Sequence, residues 1–267
     1  MKRIFALALC LCMLLCACTG TTTPNEPKQP DDPVPAGQPE QPKAPVLRTE
    51  RIILTDEAMQ AARLNVEYDA VTVDGDGFDA LNRALDAWSR SLADDLSTAA
   101  KNVLPDLEEL NGVVSEDTSY ALENSVAIVR ADAQYVCLAI TSYSSLGGVH
   151  PFTATRSVCF DTQTGSQLQL RDIAKDYDAV YQATQDALAH YEDREAFFED
   201  YAGTVYDMFY TNEDDTLTWL LGEDTLTIVF SVYMIAPYAY GPLEVVLPFT
   251  DGTLSDGASG SVVTTLD

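Results

Sequence analysis

The stretch that decides the fold runs from Ala131 to Leu170 and reads ADAQYVCLAITSYSSLGGVHPFTATRSVCFDTQTGSQLQL. Two apolar-rich runs flank Gly147–Pro151, and apolar side chains recur at every second position in both runs. This spacing around a glycine-containing turn predicts a β-hairpin with strands over residues 134–143 and 153–161. Gly147 and Gly148 supply the positive φ that the reversal requires. The positions predicted to share an apolar face are Val136, Leu138, Ile140, Val158 and Phe160.

Cys137 and Cys159 lie on the two strands of this predicted hairpin. They are equally far from Gly148, so a hairpin centred there places them directly opposite each other, at a spacing that a disulfide can span. Two reduced thiols on one face fit the same pattern, so the possible disulfide stays open. Two sulfurs without another ligand pair nearby do not make a zinc site, and the sequence predicts neither a metal nor a cofactor.

Helical and strand patterns outside the hairpin come in separate blocks. Helices are predicted over residues 78–103, 176–190 and 194–210, the first ending before Pro105 because proline interrupts a helix. The first helix has an inward apolar stripe at steps of three and four, made of Phe78, Leu81, Leu85, Trp88, Leu92 and Leu96. Alternating apolar residues predict one or two strands within 51–73 and further strands over 125–129, 225–235 and 243–249. Since helices and strands do not alternate regularly, we expect an α+β fold, a mostly antiparallel sheet with helices packed on one face.

The N-terminus carries an export signal. Lys2 and Arg3 precede the apolar run Ile4–Leu15, which is too short to span a membrane comfortably. The sequence Leu15-Cys16-Ala17-Cys18 resembles the cleavage box of bacterial lipoproteins. The resemblance implies a signal peptide over residues 1–17, a lipid on the sulfur of Cys18, and a membrane-anchored protein that faces outside the cytoplasm. The alternative is an ordinary signal peptide cut elsewhere, with Cys18 free.

The remaining chain divides by composition. Residues 18–46 hold eight of the thirteen prolines and almost no large apolar side chain, which predicts an extended tether. Residues 47–130 are predicted to form a smaller N-terminal part of strands and a long helix. Residues 131–250 form the hairpin-containing domain, and residues 251–267 a polar tail.

The chain is strongly acidic. It has 42 acidic and 15 basic residues, a formal net charge of −27. Such a surface repels nucleic acid and anionic lipid head groups, so neither is an expected partner, and it attracts basic partners. The alternative explanation of the same charge is that it keeps the protein soluble at a crowded cell surface.

Three separated signatures carry a family resemblance. They are Gly147–Pro151, then Phe160-Asp161-x-x-Thr164-Gly165 with Leu168, Leu170 and Asp172, then Ile235–Gly241. Their order and spacing resemble an extracytoplasmic domain family of largely unknown function. That family includes the lysozyme-sensing anti-sigma factors of Gram-positive bacteria and the non-catalytic N-terminal region of a peptidoglycan deacetylase. The resemblance implies a head that binds a lysozyme-like protein or cell-wall glycan.

The sequence also differs from members of that family, and these differences limit which of their functions the resemblance implies. The chain shows a lipoprotein box in place of the sigma-binding segment and membrane span of the anti-sigma factors, and no region resembles the deacetylase's catalytic domain. The first signature has Val149 where the family usually has alanine.

The candidate binding residues are His150, Tyr238 and Tyr240, which lie in the two signature loops. No nucleophile elbow, phosphate loop or metalloprotease motif occurs, so no catalytic residue is assigned. We therefore expect a non-enzymatic lipoprotein whose head binds a basic protein such as lysozyme, or peptidoglycan. The alternatives are a carboxylate-dependent enzyme acting on peptidoglycan and an accessory subunit of an envelope complex.

Overall fold

The computed structural model describes residues 43–211 and 217–248, which belong to one compact unit. The predicted signal peptide, Cys18, most of the tether and the polar tail lie outside these residues. The strands are β1 Val46–Leu54, β2 Leu64–Asp74, β3 Tyr120–Ala131, β4 Tyr135–Ser145, β5 Phe152–Asp161, β6 Gln167–Leu168, β7 Thr218–Leu221, β8 Thr225–Phe230 and β9 Leu243–Pro248. The helices are α1 Glu57–Ala61, α2 Asp79–Asn111, α3 Leu170–Ile173, α4 Tyr177–Ala189 and α5 Tyr201–Tyr210. The α+β class is confirmed.

The predicted hairpin is formed by β4 and β5. These strands pair antiparallel with Cys137 opposite Cys159, the register that the sequence predicted. Of the two turn glycines, only Gly147 has a positive φ, of 83°. A Cβ atom on Gly147 would also lie 3.3 Å from Cε1 of Tyr120, so both the turn and the packing beneath it favour glycine.

The larger sheet contains six strands in the order β1-β2-β3-β4-β5-β6. All neighbours are antiparallel except β2 and β3, which run parallel with Leu64 opposite Tyr120. Helix α2 connects this parallel pair, because two parallel neighbours need a crossover that returns the chain to the same end of the sheet.

Helix α2 is longer than predicted. It continues through Pro105 to Asn111, so the expected end near Val103 is wrong. Proline removes one backbone hydrogen bond, but Leu107 beyond it is buried against the sheet. The apolar face of the helix therefore continues past the proline, and its packing outweighs the missing bond. The predicted inward stripe is confirmed at Leu81, Leu85, Leu92 and Leu96.

Two other predicted elements are shorter in the structure. Residues 194–210 were expected to form one helix, but a 3-10 turn over Arg194–Ala196 precedes α5. The break follows from a tertiary hydrogen bond, since the Phe198 N–H donates to the Ile235 carbonyl at 2.9 Å. Strand β8 ends at Phe230 and not at Ile235, although Ile235 is still buried.

Strands β7, β8 and β9 form a second, antiparallel sheet, which the sequence did not separate from the first. Its residues pack with α4 and α5 into a hydrophobic cluster that also contains Cys137 and Cys159. The neighbouring positions Val136, Leu138, Val158 and Phe160 face α2 on the opposite side. This part of β4 and β5 is thus covered on both faces.

Within the described residues, no helix is both long enough and apolar enough to cross a membrane.

Gly165 offers a test of how the β5–β6 turn meets α2. Its φ is 69°, and a Cβ atom there would lie 2.5 Å from the Ala80 carbonyl oxygen. Gly165→Ala should therefore lower the free energy of unfolding by about 2–5 kcal/mol, from backbone strain and overpacking together. Thermal and urea unfolding monitored by circular dichroism measure the loss.

Gly203→Ala is the matched control, because Gly203 lies in α5 and a methyl group added there would meet no atom within 4 Å. This substitution should leave stability unchanged or raise it by roughly 0.5–1 kcal/mol. Equal stability of the two variants would contradict the packing of Gly165 on α2.

Candidate functional site

The first and third signatures come together in space. The ring of His150 stacks on the ring of Tyr238, with centroids 5.2 Å apart and an interplanar angle of 18°. The Tyr238 hydroxyl donates to the Pro151 carbonyl oxygen at 3.0 Å. One tyrosine therefore provides both a stacking surface for His150 and an anchor for the β4–β5 turn.

The chain around Tyr238 is held by local geometry. Pro237 precedes a 3-10 turn over Tyr238–Tyr240, and Gly241 follows it with a φ of 68°. The Gly241 N–H donates to the Tyr238 carbonyl at 2.9 Å, closing this turn. A proline before the turn and a glycine after it explain the third signature in backbone terms.

Tyr233 adds a third ring beside Tyr238, at an interplanar angle of 36°, and the sequence did not single it out. Its ring centroid lies 5.5 Å from that of Tyr238, and 59% of its surface is exposed. Tyr233 also has a φ of 66°, an uncommon conformation for a bulky residue that often accompanies functional sites. Sequence analysis missed Tyr233 because the alternation of apolar residues continues past the end of β8 and through the turn that contains this tyrosine. We call His150, Tyr238 and Tyr233 the ring row.

Tyr240 shares only the turn with Tyr238. It is 45% exposed, and no ring contact joins it to the ring row within the described residues. The structure therefore brings two of the three predicted binding residues together and leaves Tyr240 beside them.

The second signature has a structural role. The Asp161 carboxylate accepts hydrogen bonds from the N–H groups of Gln163 and Thr164, at 3.0 and 2.7 Å, and from the Thr164 hydroxyl at 2.8 Å. This turn positions Gly165 against the start of α2. Asp172 caps α3 by accepting from the Gln169 N–H at 2.8 Å. These signature residues hold the backbone in its turn and cap a helix, so their spacing indicates the fold.

Cys137 and Cys159 are joined by a disulfide, with their Cα atoms 4.1 Å apart. Both cysteines are buried in the cluster between the two sheets. Their place in a packed core indicates a stabilising crosslink, which closes a loop of 22 residues and restricts the unfolded chain.

Aromatic side chains of α4 and α5 lie around Arg171. The guanidinium lies 4.0 Å from the ring centroid of Tyr177 and donates to the Phe209 carbonyl at 2.9 Å. Nearby, the Tyr210 hydroxyl donates to the Asp178 carboxylate at 2.7 Å. Burial and this hydrogen bond raise the pKa of Tyr210 well above its usual range, so the hydroxyl stays protonated. These contacts join α3, α4 and α5.

No group of three or more histidine, cysteine, aspartate or glutamate side chains with metal-binding geometry occurs among residues 43–211 and 217–248.

Comparison with known proteins finds a family that matches part of the chain. Residues 169–250 match the model of the family described as "Protein of unknown function (DUF3298)". The matched segment contains the third signature, whereas His150 precedes it. No curated protein matches the sequence.

Two crystal structures are similar to the whole fold. A DUF3298 family member from Bacteroides fragilis is 17% identical, with a TM-score of 0.55, over 82% of this chain and 96% of its own. A DUF3298 family protein from Pseudomonas aeruginosa is 16% identical, with a TM-score of 0.53, over 84% of this chain and 99% of its own. The predicted resemblance to a domain family of unknown function is confirmed; the links to anti-sigma factors and to the deacetylase stay predictions.

The hydroxyl of Tyr238 can be tested as the anchor of the turn. Tyr238→Phe keeps the ring but removes the hydrogen bond to Pro151, so it should lower the free energy of unfolding by about 0.5–1.5 kcal/mol. Chemical denaturation measures the change. Tyr240→Phe is the control, since its hydroxyl has no hydrogen bond within the described residues, and an equal loss in both variants would refute the anchor.

Proposed function

We propose that this chain, which carries a DUF3298 domain, is a lipid-anchored protein outside the cytoplasm whose ring row binds a basic protein such as lysozyme. The binding involves no chemistry on the partner. The adjoining rings of the exposed His150, the half-buried Tyr238 and the exposed Tyr233 are the observation that carries this proposal.

Exposed aromatic rings suit recognition. Tyrosine buries a large apolar area with little loss of side-chain entropy, and it is enriched among the residues that contribute most to protein interfaces. The hydrogen bond from Tyr238 to Pro151 and the backbone turn at Tyr233 hold two of the rings in place before a partner arrives. Such preorganisation lowers the entropic cost of binding.

The charge supports a basic partner. A protein with a formal net charge of −27 attracts a cationic partner over long range and repels an anionic one. Association should then slow as salt screens the attraction, since the screening length is only about 8 Å at physiological ionic strength. Peptidoglycan is the alternative ligand, because flat aromatic rings also stack on sugar faces.

Binding assays on the full-length protein in detergent test the proposal. Tyr233→Asn removes the ring yet tolerates a positive φ, and it should weaken binding to hen egg-white lysozyme about 30-fold if Tyr233 acts as a central contact. Surface plasmon resonance at low and moderate salt measures affinity and association rate. Pelleting with purified peptidoglycan measures the alternative.

Tyr206→Ala is the matched control, because Tyr206 is 50% exposed on α5 and lies outside the ring row. Its affinity should equal that of the unsubstituted protein. The proposal fails if neither lysozyme nor peptidoglycan binds at either salt concentration, or if Tyr206→Ala weakens binding as much as Tyr233→Asn.

The anchor is tested separately at Cys18. Two acyl chains hold a protein on a bilayer far more firmly than one, because each buried methylene contributes about 0.8 kcal/mol. Cys18→Ser should therefore move the protein from the membrane fraction to the soluble fraction and abolish incorporation of radiolabelled palmitate. Labelling that persists in this variant would disprove acylation at Cys18.

A further inference from the structure

A groove lies between α2 and the sheet face formed by β3, β4 and β5. One part is a cavity of about 220 Å³ beside Leu96 and Ala99 of α2. It meets a second cavity of about 390 Å³ that reaches Trp88, and both are lined by Asp95 and Arg156. Two neighbouring cavities of this size can each take one or two rings of a small ligand.

The floor of the first cavity is polar where a sheet face under a helix is normally apolar. Leu138 and Ile140 of β4 pack beneath α2, but the next two positions on that face are Ser142 and Ser144. Asn124 of β3 pairs with Ser142 and is only 3% exposed. The Asn124 amide makes no side-chain hydrogen bond to any residue in the described ranges.

The Asn124 amide borders the cavity and is not completely shut off from solvent, so its donors and acceptor are free to bond to a ligand. Asn124 lines the cavity, so a ligand seated there can reach its amide. The same is true of the two serine hydroxyls, which add both donors and acceptors. The polar floor is therefore a set of hydrogen-bonding groups that the protein itself leaves unused.

The walls of the groove contribute charges of both signs. Arg156 lies on the same face of β5, opposite Ile140, and forms no ion pair within 4.0 Å among the described residues. Asp95 and Glu123 line the same cavity. Since the guanidinium donates and the carboxylates accept, this set matches a ligand rich in hydroxyl groups better than one with a net charge.

An aromatic ring completes the cavity. Phe152 begins β5, lines the groove, and is 49% exposed. A ring in this position can stack on the apolar face of a flat, polar ligand.

We infer that this groove binds a short, uncharged saccharide. Asn124, Ser142 and Ser144 hydrogen-bond its hydroxyl or acetamido groups from the floor. Arg156 and Asp95 contact it where the two cavities meet, and Phe152 stacks on one sugar face. The ring row shares no residue with this groove, so the inference does not depend on the proposed function.

Two trisaccharides test the inference by isothermal titration calorimetry. Cellotriose and N,N′,N″-triacetylchitotriose share the β-1,4 linkage. They differ at carbon 2 of each unit, which carries a hydroxyl group in the first and an acetamido group in the second. The full-length protein is titrated in a zwitterionic detergent, because detergents with sugar head groups would compete. Binding of either trisaccharide supports the inference, and the tighter one shows which group the floor prefers.

Arg156→Met should weaken that binding about tenfold or more, since hydrogen bonds from a charged donor are stronger than neutral ones. Arg83→Met is the matched control, as it removes the same charge from an exposed position of α2 outside the groove. It should bind as tightly as the unsubstituted protein.

Asn124→Leu distinguishes a binding role from a packing role. Leucine has a similar size but offers no hydrogen bond to a ligand, so the variant should bind at least tenfold more weakly while its melting temperature does not fall. The inference is overturned if neither trisaccharide binds, or if Arg156→Met and Arg83→Met bind equally well. If the Asn124→Leu variant fails to fold, the comparison of Arg156→Met with Arg83→Met still tests the inference.

Discussion

The antiparallel pairing of β4 with β5 is buried on both faces around Cys137 and Cys159, and the rest of the structure depends on it. On one side, Val136 and Leu138 contact the leucines of α2. On the other, Cys137 and Cys159 belong to the cluster built by the second sheet and its helices. Each layer removes apolar surface from water, at roughly 25 cal/mol per Å². The hairpin is the layer that both cores share, so loss of its register would turn the wrong side chains toward each of them.

The ends of this hairpin carry the features that suggest function. Its turn brings His150 to Tyr238, and its second strand begins at Phe152, which lines the groove. The part of the hairpin around Cys137 and Leu138 is covered on both faces, whereas the groove lies beyond it, from Ile140 and Arg156 toward the turn. Rigid strands with exposed loops at one end are a common arrangement for binding sites, since the scaffold holds loop residues at little entropic cost.

The three signatures divide between these roles. Asp161, Thr164 and Gly165 form a turn with internal hydrogen bonds and close packing on α2, so they are needed by any chain with this fold. His150 and Tyr238 stack beside the turn of the hairpin, and Tyr238 also anchors that turn through its hydroxyl. Asn124 is a third case, because its amide borders the groove and bonds to no side chain among the described residues. Polar groups that the fold itself does not use are expected at functional sites.

The sequence by itself determined the hairpin, its register, the inward stripe of α2 and the α+β class, because each depends on periodic apolar spacing or on glycine in a turn. Tertiary structure alone decided where α2 and β8 end and where the chain breaks before α5. Burial of Leu107 beyond Pro105 and the bond from Phe198 to Ile235 are contacts between distant residues, which local spacing does not encode. The same reason explains the candidate sites. Sequence identified His150 and Tyr238, but only folding placed Tyr233 beside them and left Asn124 facing an open groove.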